Sequence, residues 1–373
     1  MVPTQRLPAS LTPLDAALAA LLDGLKPVAP IALPLADALG CVGADRPALN
    51  AFPPYDIAAA DGWALCARDL AGATSYSPLP LPKSPVWVEA GDRMPEGCDC
   101  VVDSDSVDQT GPIFEALGEA IPGQGVRRRG SDIAQANSFL AFGRRVRPLD
   151  LLIARAAGLE KLNVCRPRLC VINIPVSSGH TVTAQLISEN AGAAGASVIC
   201  AEAAGRDAAS IARAFDTSAC DLLVTIGGSG VGRTDATIAA MAQRGEVVAH
   251  GIALQPGRTT AVGGIEKIPV IALPGAPDQA LAAWWTLGLP VLDRLSGLWP
   301  RARLTLPLQR KIASSVGISE IVLLEQIEEA WMPLGVGELS LEAIARADAW
   351  LAVPGGMEGF AAGTPVDAYM LGD

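Results

Sequence analysis

Apolar positions recur along the chain with two periods, and the change of period divides it into segments. An Ala/Leu-rich run follows Thr12-Pro13-Leu14-Asp15 and ends at Gly24, which predicts a helix with Thr12 as N-cap and Pro13 in the first helical position. Helical spacing predicts another helix from Pro148 to Gly158. Between them, from Phe52 to about Gly125, short apolar runs cut by prolines and glycines predict an inserted β-rich module.

From Arg168 onward apolar strands alternate with amphipathic helices. The predicted strands are LCVINI, ASVICAEAA, DLLVTIGG, VVAHGIAL and PVIALPG, and the helices between them include RDAASIARAF and TDATIAAMAQRG. This alternation predicts an α/β domain with a mainly parallel sheet covered by helices on both faces. After Pro300 the chain returns to short alternating runs, which predicts a small terminal β-domain.

Ligands of such sheets lie beyond the carboxyl ends of the strands. Here those ends carry four loops: Ser177 to His180, Gly227 to Thr234, Pro256 to Arg258, and Pro274 to Pro277. The pattern therefore makes substrate-binding candidates of Ser177, Ser178, Arg258, Pro274 and Gly275.

The most informative of these loops is the glycine-rich one, Gly227-Gly228-Ser229-Gly230-Val231-Gly232-Arg233-Thr234. It follows an apolar strand and precedes a helix, so its backbone N–H groups and the helix N-terminus could cradle an anion. Gly227, Gly228, Ser229 and Gly232 are the candidates. The loop also matches a Walker A pattern with Arg in place of Lys. A simple strand-to-helix turn is the structural alternative.

Asp235 follows this loop and is expected in the first turn of the next helix. There it could bind magnesium or ligand hydroxyls, or act only as a favourable helix-start charge. His180 and His250 are isolated in the sequence and are assigned no role.

Two further groups of charged residues stand in the β-rich module. Arg127-Arg128-Arg129-Gly130-Ser131-Asp132 could attract an oxyanion and hold Asp132, or form a solvated loop. Asp56 and Asp61 flank a proline-rich and glycine-rich segment that is either part of a site or a fixed turn.

Composition and charge narrow the function classes. The chain has 373 residues, 50% hydrophobic and 18% charged, and is therefore globular. A net charge of −11 argues against nucleic-acid binding, so an anionic ligand needs a local basic site.

Targeting and cysteine use give further expectations. The longest uncharged stretch, Leu169 to Ser188, contains Pro175 and several polar residues, so no membrane span is expected. Asp15 and Asp23 interrupt the apolar start and argue against a signal peptide. Eight cysteines without a CxxC pair argue against a zinc site and favour a cytoplasmic location with reduced thiols.

Taken in order, the motifs resemble the molybdopterin molybdenumtransferase (molybdenum insertase) family, which includes a domain of gephyrin. The matching segments run from about Leu33 to Leu371 and are PLADALGCVGAD, AFPPYDIAAADGWALCARDL, AGDRMPEGCDCVV, GQGVRRRGSDI, DLLVTIGGSGVGRTD, LQPGR, LPGAP and ADAWLAVPGG…GTPVDAYML. Each motif alone is weak evidence for the family, whereas the whole set in this order is specific for it.

The resemblance implies an elongated homodimer of four-part subunits. Residues 1–45 and 138–166 would form a helical N-terminal domain, 46–137 the inserted β-rich module, 167–300 a three-layer α/β/α molybdopterin-binding domain, and 301–373 a small β-barrel. The site would lie between the α/β domain of one subunit and the β-rich module of the other. Other proteins of molybdenum cofactor synthesis, or molybdoenzymes, are implied as further partners.

The implied reaction is attack of molybdate on the dithiolene of adenylyl-molybdopterin, with magnesium as cofactor and release of AMP. Catalytic positions carried over are Asp61, Asp132 and Asp235, with Asp61 and Asp235 as magnesium ligands. Arg258 stands where the family usually has lysine. Together with Arg127, Arg128 and Arg129, it would offset the charge of the anions.

Several positions depart from the family pattern. Ala90 replaces a common threonine, Pro175 to His180 replaces an STGDEL-like segment, Gly230 replaces a serine, Arg233 an acid and Ala276 an asparagine. Because these departures lie in ligand loops, a cofactor carrier without turnover is a second hypothesis. A P-loop nucleotide hydrolase is a third.

Overall fold

The structure is a computed structural model that describes residues 5–136, 138–175 and 182–371. The candidates Ser177 and Ser178, with most of the loop from Pro175 to His180, lie outside the described residues.

The N-terminal part begins with a helix that starts one residue later than expected. Its elements are α1 (Leu14–Leu22), β1 (Ile31–Pro34) and β2 (Val42–Gly43). Pro13 is the N-cap and makes no side-chain cap. Thr12, the predicted cap, instead pairs through its backbone with Gly251 and Ala253, which fixes it as extended chain.

The next segment is β-rich, as predicted, and is built from short antiparallel pairs. Its strands are β3 (Ile57–Ala58), β4 (Gly62–Leu65), β5 (Leu79–Pro80), β6 (Val86–Val88), β7 (Cys100–Val102), β8 (Val107–Thr110), β9 (Ile113–Ala116) and β10 (Val126–Arg127). They form sheets of order β6-β4-β7, β5-β9-β8 and β10-β3.

The chain then returns to the N-terminal part through α2 (Pro148–Ala156) and β11 (Lys161–Cys165), and β11 lies between β1 and β2. The predicted helix at Pro148 is confirmed, with proline in its first turn. Asp150 is buried there and is bound by Arg144 and Arg147.

The α/β part holds a six-stranded sheet of order β13-β12-β14-β18-β17-β15. Its elements, with the short strand β16 that belongs to another sheet, are β12 (Arg168–Asn173), α3 (Val182–Ala193), β13 (Ser197–Glu202), α4 (Ala208–Ala214), β14 (Leu222–Ile226), α5 (Thr237–Arg244), β15 (Glu246–His250), β16 (Leu254–Gln255), β17 (Ala261–Ile265), β18 (Ile268–Leu273), α6 (Pro277–Ala283), a π-helical turn (Trp284–Gly288) and α7 (Leu289–Ser296). The first four strands in the sheet order are parallel, whereas β17 and β15 complete an antiparallel edge.

Alternate residues of the central strands point to opposite faces, and each face has its own core. Leu169 and Val171 of β12 face α1, α3, α6 and α7, whereas Cys170 and Ile172 face α4 and α5. The predicted three-layer arrangement is confirmed. Helix α1, placed by sequence in the N-terminal domain, packs in the first of these cores, and the domain bounds stay a prediction.

The C-terminal part consists of β19 (Leu304–Pro307), β20 (Ile312–Ala313), β21 (Ser319–Ile327), β22 (Ala330–Val336), α8 (Leu341–Arg346), β23 (Ala349–Val353), β24 (Gly359–Phe360) and β25 (Pro365–Met370). Its sheet runs β16-β21-β23-β25-β19, with β22 on β21. Only an isolated bridge from Leu308 to Trp331 joins the far strands, so the expected barrel is not a continuous closed ladder in the described chain. Helix α8, which the alternating pattern did not predict, is capped by Ser340. No helix in the described ranges is long and apolar enough to cross a membrane.

Candidate functional site

The candidate chemistry of the α/β part gathers at the carboxyl edge of its parallel strands. Pro175 follows β12, Arg206 follows β13 and the glycine-rich loop follows β14. Because β17 is antiparallel to β18, Arg258 enters this edge from the start of β17, and His250 ends β15 there. The sequence-based placement of these loops at one edge is confirmed for the described ones.

The glycine-rich loop needs its first two glycines. Gly227 and Gly228 have φ of +91° and +67°, the left-handed region that glycine adopts at little cost. A Cβ at Gly228 would also collide with Thr237 Oγ1, which donates a 3.0 Å hydrogen bond to the carbonyl of Gly227. The loop is therefore a specific conformation and not a generic turn.

The side chain of Gln5, from the segment before α1, lies across this loop. Its Nε2 donates to the carbonyl oxygens of Gly228 (3.1 Å) and Gly230 (2.8 Å), and its Oε1 accepts from the N–H of Ile238 (2.8 Å). Gln5 thus caps α5 from more than 200 residues away. The expectation that this helix N-terminus is open to an anion is corrected, because Gln5 already uses the Ile238 N–H.

The carbonyl of Ser229, in the first half of the loop, also contacts a neighbouring side chain. His250 Nε2 lies 2.9 Å from the carbonyl oxygen of Ser229 and can donate to it when protonated at that nitrogen. His250, to which the sequence assigned no role, therefore supports the loop. The carbonyls of residues 227–230 are thus bound, and within the described residues the N–H groups of residues 228–231, which share peptide groups with those carbonyls, have no acceptor.

Ser229 is fully buried, and its Oγ has no hydrogen-bond partner in the described parts of the chain. A buried hydroxyl without a partner is costly and points to a group supplied from outside. Ser229 Oγ is thus an unsatisfied polar atom within the glycine-rich loop.

Asp235 does not lie in a helix, contrary to expectation, because α5 begins only at Thr237 with Ala236 as its N-cap. Its carboxylate folds back on the loop: Oδ2 accepts from the N–H of Gly232 (2.9 Å) and Oδ1 accepts from Arg206 Nη2 (3.0 Å). The fold-back fills the space beside Gly230, since a Cβ there would lie 2.6 Å from Asp235 Oδ2 and would displace the carboxylate from its present position.

Arg206 links three loops of the same edge. Its Nη1 donates to the carbonyl of Pro175 (2.8 Å) and its Nη2 to Asp235, while its Nε is buried without a partner in the described chain. Neighbouring Asp207 caps α4, and hydrogen bonds from the Ser210 hydroxyl and N–H lower the pKa of that carboxyl. The cap fixes the loop that presents Arg206.

A cleft of about 680 Å³ opens between this edge and the C-terminal part. Arg258, Asp278 and Gln279 line it on one side, and Glu338 and Ser340 on the other. Pro274 and Gly275 precede the lining residue Asp278 in the chain. Thr183 Oγ1 fixes Gly275 by donating a 2.7 Å hydrogen bond to its carbonyl. The backbone of Gly275 also contacts Gly227, which joins the cleft side to the glycine-rich loop.

The candidate acids of the β-rich module are bound within the module. Asp61 Oδ1 accepts from the N–H of Ala90 (2.8 Å), Asp56 Oδ1 from the N–H of Arg129 (2.7 Å), and Asp132 pairs with Arg127. The prediction that the arginine run holds Asp132 is confirmed for Arg127.

In the described residues the candidate acids of the module, Asp61 and Asp132, make no hydrogen bond or ion pair with Asp235. The described residues also contain no group of three or more His, Cys, Asp or Glu side chains arranged to hold a metal ion.

The loop also lacks the geometry of a P-loop. The N–H of Ile238 in the first turn of α5 is taken by Gln5, and Arg233, at the lysine position, is exposed and precedes the helix by several residues. Sequence reasoning missed Gln5 and Arg206. A glutamine in an irregular segment carries no motif, whereas Arg206 had a usable signal because it lies in the loop that follows the parallel strand β13.

Comparisons with known proteins agree with the motif order. Residues 12–158 match the model of the MoeA N-terminal region (domain I and II), and residues 176–294 match a probable molybdopterin binding domain. Molybdopterin molybdenumtransferase 2 of Mycobacterium tuberculosis is 31% identical over 310 residues, covering 72% of this chain and 76% of that protein.

A more distant relative and a solved structure agree with this family. The molybdopterin molybdenumtransferase of Haemophilus influenzae is 28% identical over 277 residues, covering 66% of this chain and 67% of that protein. Among solved structures, a molybdopterin biosynthesis MoeA protein of Pyrococcus horikoshii has a TM-score of 0.71 at 23% identity, covering 97% of this chain and 99% of that one. The overall fold is therefore shared along almost the whole chain.

Proposed function

The chain belongs to the molybdopterin molybdenumtransferase family, and we propose that it inserts molybdate into adenylylated molybdopterin and releases AMP. In this reaction molybdate exchanges oxygen for the two dithiolene sulfurs, and the adenylyl phosphoanhydride is cleaved by water. Every group that the enzyme must bind, apart from the pterin ring and the nucleoside, is an anion or becomes one.

The glycine-rich loop is the observation that carries this proposal. Its carbonyls at residues 227–230 are bound by Thr237, Gln5 and His250, so the dipoles of its peptide groups direct N–H groups toward a ligand. Preorganised N–H donors stabilise phosphate charge without reorganising during the reaction. The unpartnered Oγ of Ser229 adds a hydroxyl in the same loop.

The neighbouring cleft suits the remainder of the substrate. Its volume of about 680 Å³ lies in the range of small-molecule sites. Arg258 supplies a positive charge there, at the position where the family usually has lysine, and a guanidinium can bind an oxyanion through two N–H groups. We assign Arg258 to the anionic end of the substrate. Pro274 and Gly275 follow β18 outside the lining of this cleft, and we assign them to the side that contacts the glycine-rich loop.

Magnesium, which the family resemblance implies, does not fit the described residues. Both oxygens of Asp235 are already bound, one by an arginine, and no acidic cluster accompanies it. Asp61 likewise binds the Ala90 N–H within its own module. The proposed reaction therefore uses this chain's own donors and not magnesium.

We further propose that the working unit is a homodimer. One subunit leaves Asp61, Asp132 and the arginine run without contact to the glycine-rich loop, and a second copy could present them. Sedimentation equilibrium tests this, and a stable monomer with full activity would refute it.

The proposal includes a cytoplasmic location and contacts with other proteins of molybdenum cofactor synthesis or with molybdoenzymes. All eight cysteines are free thiols, in keeping with a reducing compartment. Burial raises the pKa of Cys100 to about 11 and that of Cys220 to about 12, so these thiols stay protonated and unreactive at neutral pH.

The test supplies adenylyl-molybdopterin and molybdate and follows AMP release together with cofactor formation. We expect both, at a rate below that of a relative with the full motif set, because Ala90 and Ala276 lack polar groups that the family commonly has. Binding without AMP release would establish the carrier instead. ATP hydrolysis unaffected by molybdate would establish a P-loop hydrolase.

A further inference from the structure

The arrangement of Arg206 and Asp235 raises the question of which group supplies positive charge beside the glycine-rich loop. Asp235 Oδ1 accepts from Arg206 Nη2 at 3.0 Å, and Arg206 Nη1 donates to the Pro175 carbonyl at 2.8 Å. The guanidinium is therefore fixed at the carboxyl edge of the sheet by two loops that it does not belong to.

Arg206 is fixed in place but does not use all of its hydrogen-bond donors. A guanidinium has five N–H donors, and the contacts to Asp235 and Pro175 use two of them. Arg206 Nε is buried without a partner in the described chain, and the side chain as a whole remains 30% exposed. As far as the described residues go, each terminal nitrogen keeps one N–H for an external oxygen.

The position of the Asp235 carboxylate uses the space that glycine leaves at residue 230. The carboxylate occupies the volume that any side chain at 230 would enter, since a Cβ there would lie 2.6 Å from Asp235 Oδ2. The N–H of Gly232 fixes the same oxygen at 2.9 Å. Gly230, Asp235 and Arg206 thus form one arrangement, in which the carboxylate is turned from the solvent toward the arginine.

We propose that the Arg206 guanidinium takes the place of a metal ion at the glycine-rich loop and binds the substrate's phosphate groups directly, with Asp235 as its positioning residue. This inference rests on the proposed function and specifies its phosphate subsite. Arginine is suited to the task, because its planar donors match two phosphate oxygens and its charge does not titrate.

The experiment measures binding of two probes, AMP and inorganic pyrophosphate, by isothermal titration calorimetry in EDTA and in excess magnesium. For the unmodified protein we expect dissociation constants that agree within about twofold between the two conditions. A tenfold or greater gain from magnesium would overturn the proposal.

Substitutions at Arg206 test the direct contact. Arg206→Met should weaken both probes by about tenfold to a hundredfold, since a hydrogen bond to a charged group contributes about 1.5–3 kcal/mol. Arg206→Lys should recover part of the loss, because lysine restores the positive charge but not the planar pair of guanidinium N–H donors. Equal affinity of Arg206→Met and the unmodified protein would overturn the proposal.

Arg168→Met is the matched control. Arg168 pairs with Asp221 at 2.8 Å at the opposite, amino edge of the same sheet, so this variant also breaks an arginine–aspartate pair. It should bind both probes within about twofold of the unmodified protein. A loss equal to that of Arg206→Met would overturn the proposal by showing a general effect of net charge or stability.

Gly230→Ala tests the role of Asp235 without changing any charge. The added Cβ should displace the carboxylate from Arg206, weaken binding in EDTA by about threefold to tenfold, and make magnesium restore it. Unchanged binding in EDTA would overturn the positioning role.

The two probes separate this inference from the proposed function. Arg206-dependent binding of pyrophosphate without binding of AMP would support the phosphate subsite and refute the proposed function. AMP binding that ignores Arg206 would refute the subsite and leave the function standing.

Discussion

Two arginine–aspartate pairs stand at opposite edges of the α/β sheet, and they differ in how completely they are bound. At the amino edge Asp221 accepts from the N–H, Nε and Nη2 of Arg168, its own N–H donates to the Arg168 carbonyl, and Arg168 Nη1 reaches Ser218. At the carboxyl edge Arg206 keeps a buried Nε without a partner in the described chain.

The difference separates a pair that joins strands from a pair that presents a charge. Arg168 and Asp221 tie the starts of β12 and β14 together, and the hydrogen bond that Arg168 donates to the Asp221 carboxylate raises the pKa of Arg168. Arg206 and Asp235 join loops instead and leave donors unused. The unused N–H donors of an ion pair at a strand end therefore indicate a binding site better than the mere presence of an ion pair does. Four changes test this comparison.

The largest effect is expected where the loop beside the second pair is deformed. Gly228→Ala places a methyl group against Thr237 Oγ1 at a φ of +67°, so the N–H groups of the loop lose their alignment. AMP release in the transfer assay should fall about 10²-fold to 10³-fold, as for loss of a preorganised donor. Gly192→Ala, in α3 where a Cβ meets nothing within 4 Å, is the control. Unchanged AMP release by Gly228→Ala would show that loop shape is irrelevant.

A completely bound carboxylate should act on stability alone. Burial by itself would raise the pKa of Asp150, but hydrogen bonds from the side chain and N–H of Arg147, and the charges of Arg144 and Arg147, outweigh it and lower that pKa. Asp150→Asn should reduce the free energy of unfolding by about 2 kcal/mol at pH 7 and leave AMP binding unchanged.

The pH dependence of that loss follows from its sign. A carboxyl whose folded pKa is lowered stabilises the protein above its unfolded pKa, 3.8, and the contribution disappears as the pH falls through the folded value. Chemical denaturation should therefore show the difference between the two proteins shrinking below about pH 4. A difference that does not shrink as the pH falls below 4 would contradict the assignment.

Gln5 supports the carboxyl edge from a distance, so its removal should affect binding more than folding. Gln5→Ala deletes three hydrogen bonds to the loop and α5, and AMP binding should weaken by about tenfold. Gln5→Glu keeps the acceptor for Ile238 but turns an oxygen toward two carbonyls, and should bind no better than Gln5→Ala. Gln185→Ala, which removes an exposed contact on α3, should bind normally.

The smallest effect is expected at the amino edge. Arg168 is about half exposed, and exposed ion pairs contribute roughly 0–1 kcal/mol to stability. In the transfer assay Arg168→Met should release AMP within about twofold of the unmodified rate. A larger loss would mean that the two edges are coupled.

Much of this edge follows from strand patterns. Apolar runs place β12, β14 and β18, and parallel strands put the glycine-rich loop and Gly275 at one edge by geometry alone. The conformation of Asp235 does not follow, because local sequence favours a helix start at Thr234-Asp235 whereas the chain delays it to Thr237. Gln5 caps the delayed helix through a contact to Ile238 that spans 233 positions, and no local pattern predicts such a contact.

Gln5 also fixes an order of events during synthesis. It leaves the ribosome before any of its partners exist, since Gly228 follows 223 positions later, which is roughly 10–50 seconds of translation. The N-terminal segment must stay unpaired for that time and dock when the sheet beneath the loop is complete. Competence to hold an anion would then arise late in folding, when the loop carbonyls acquire the Gln5 donor.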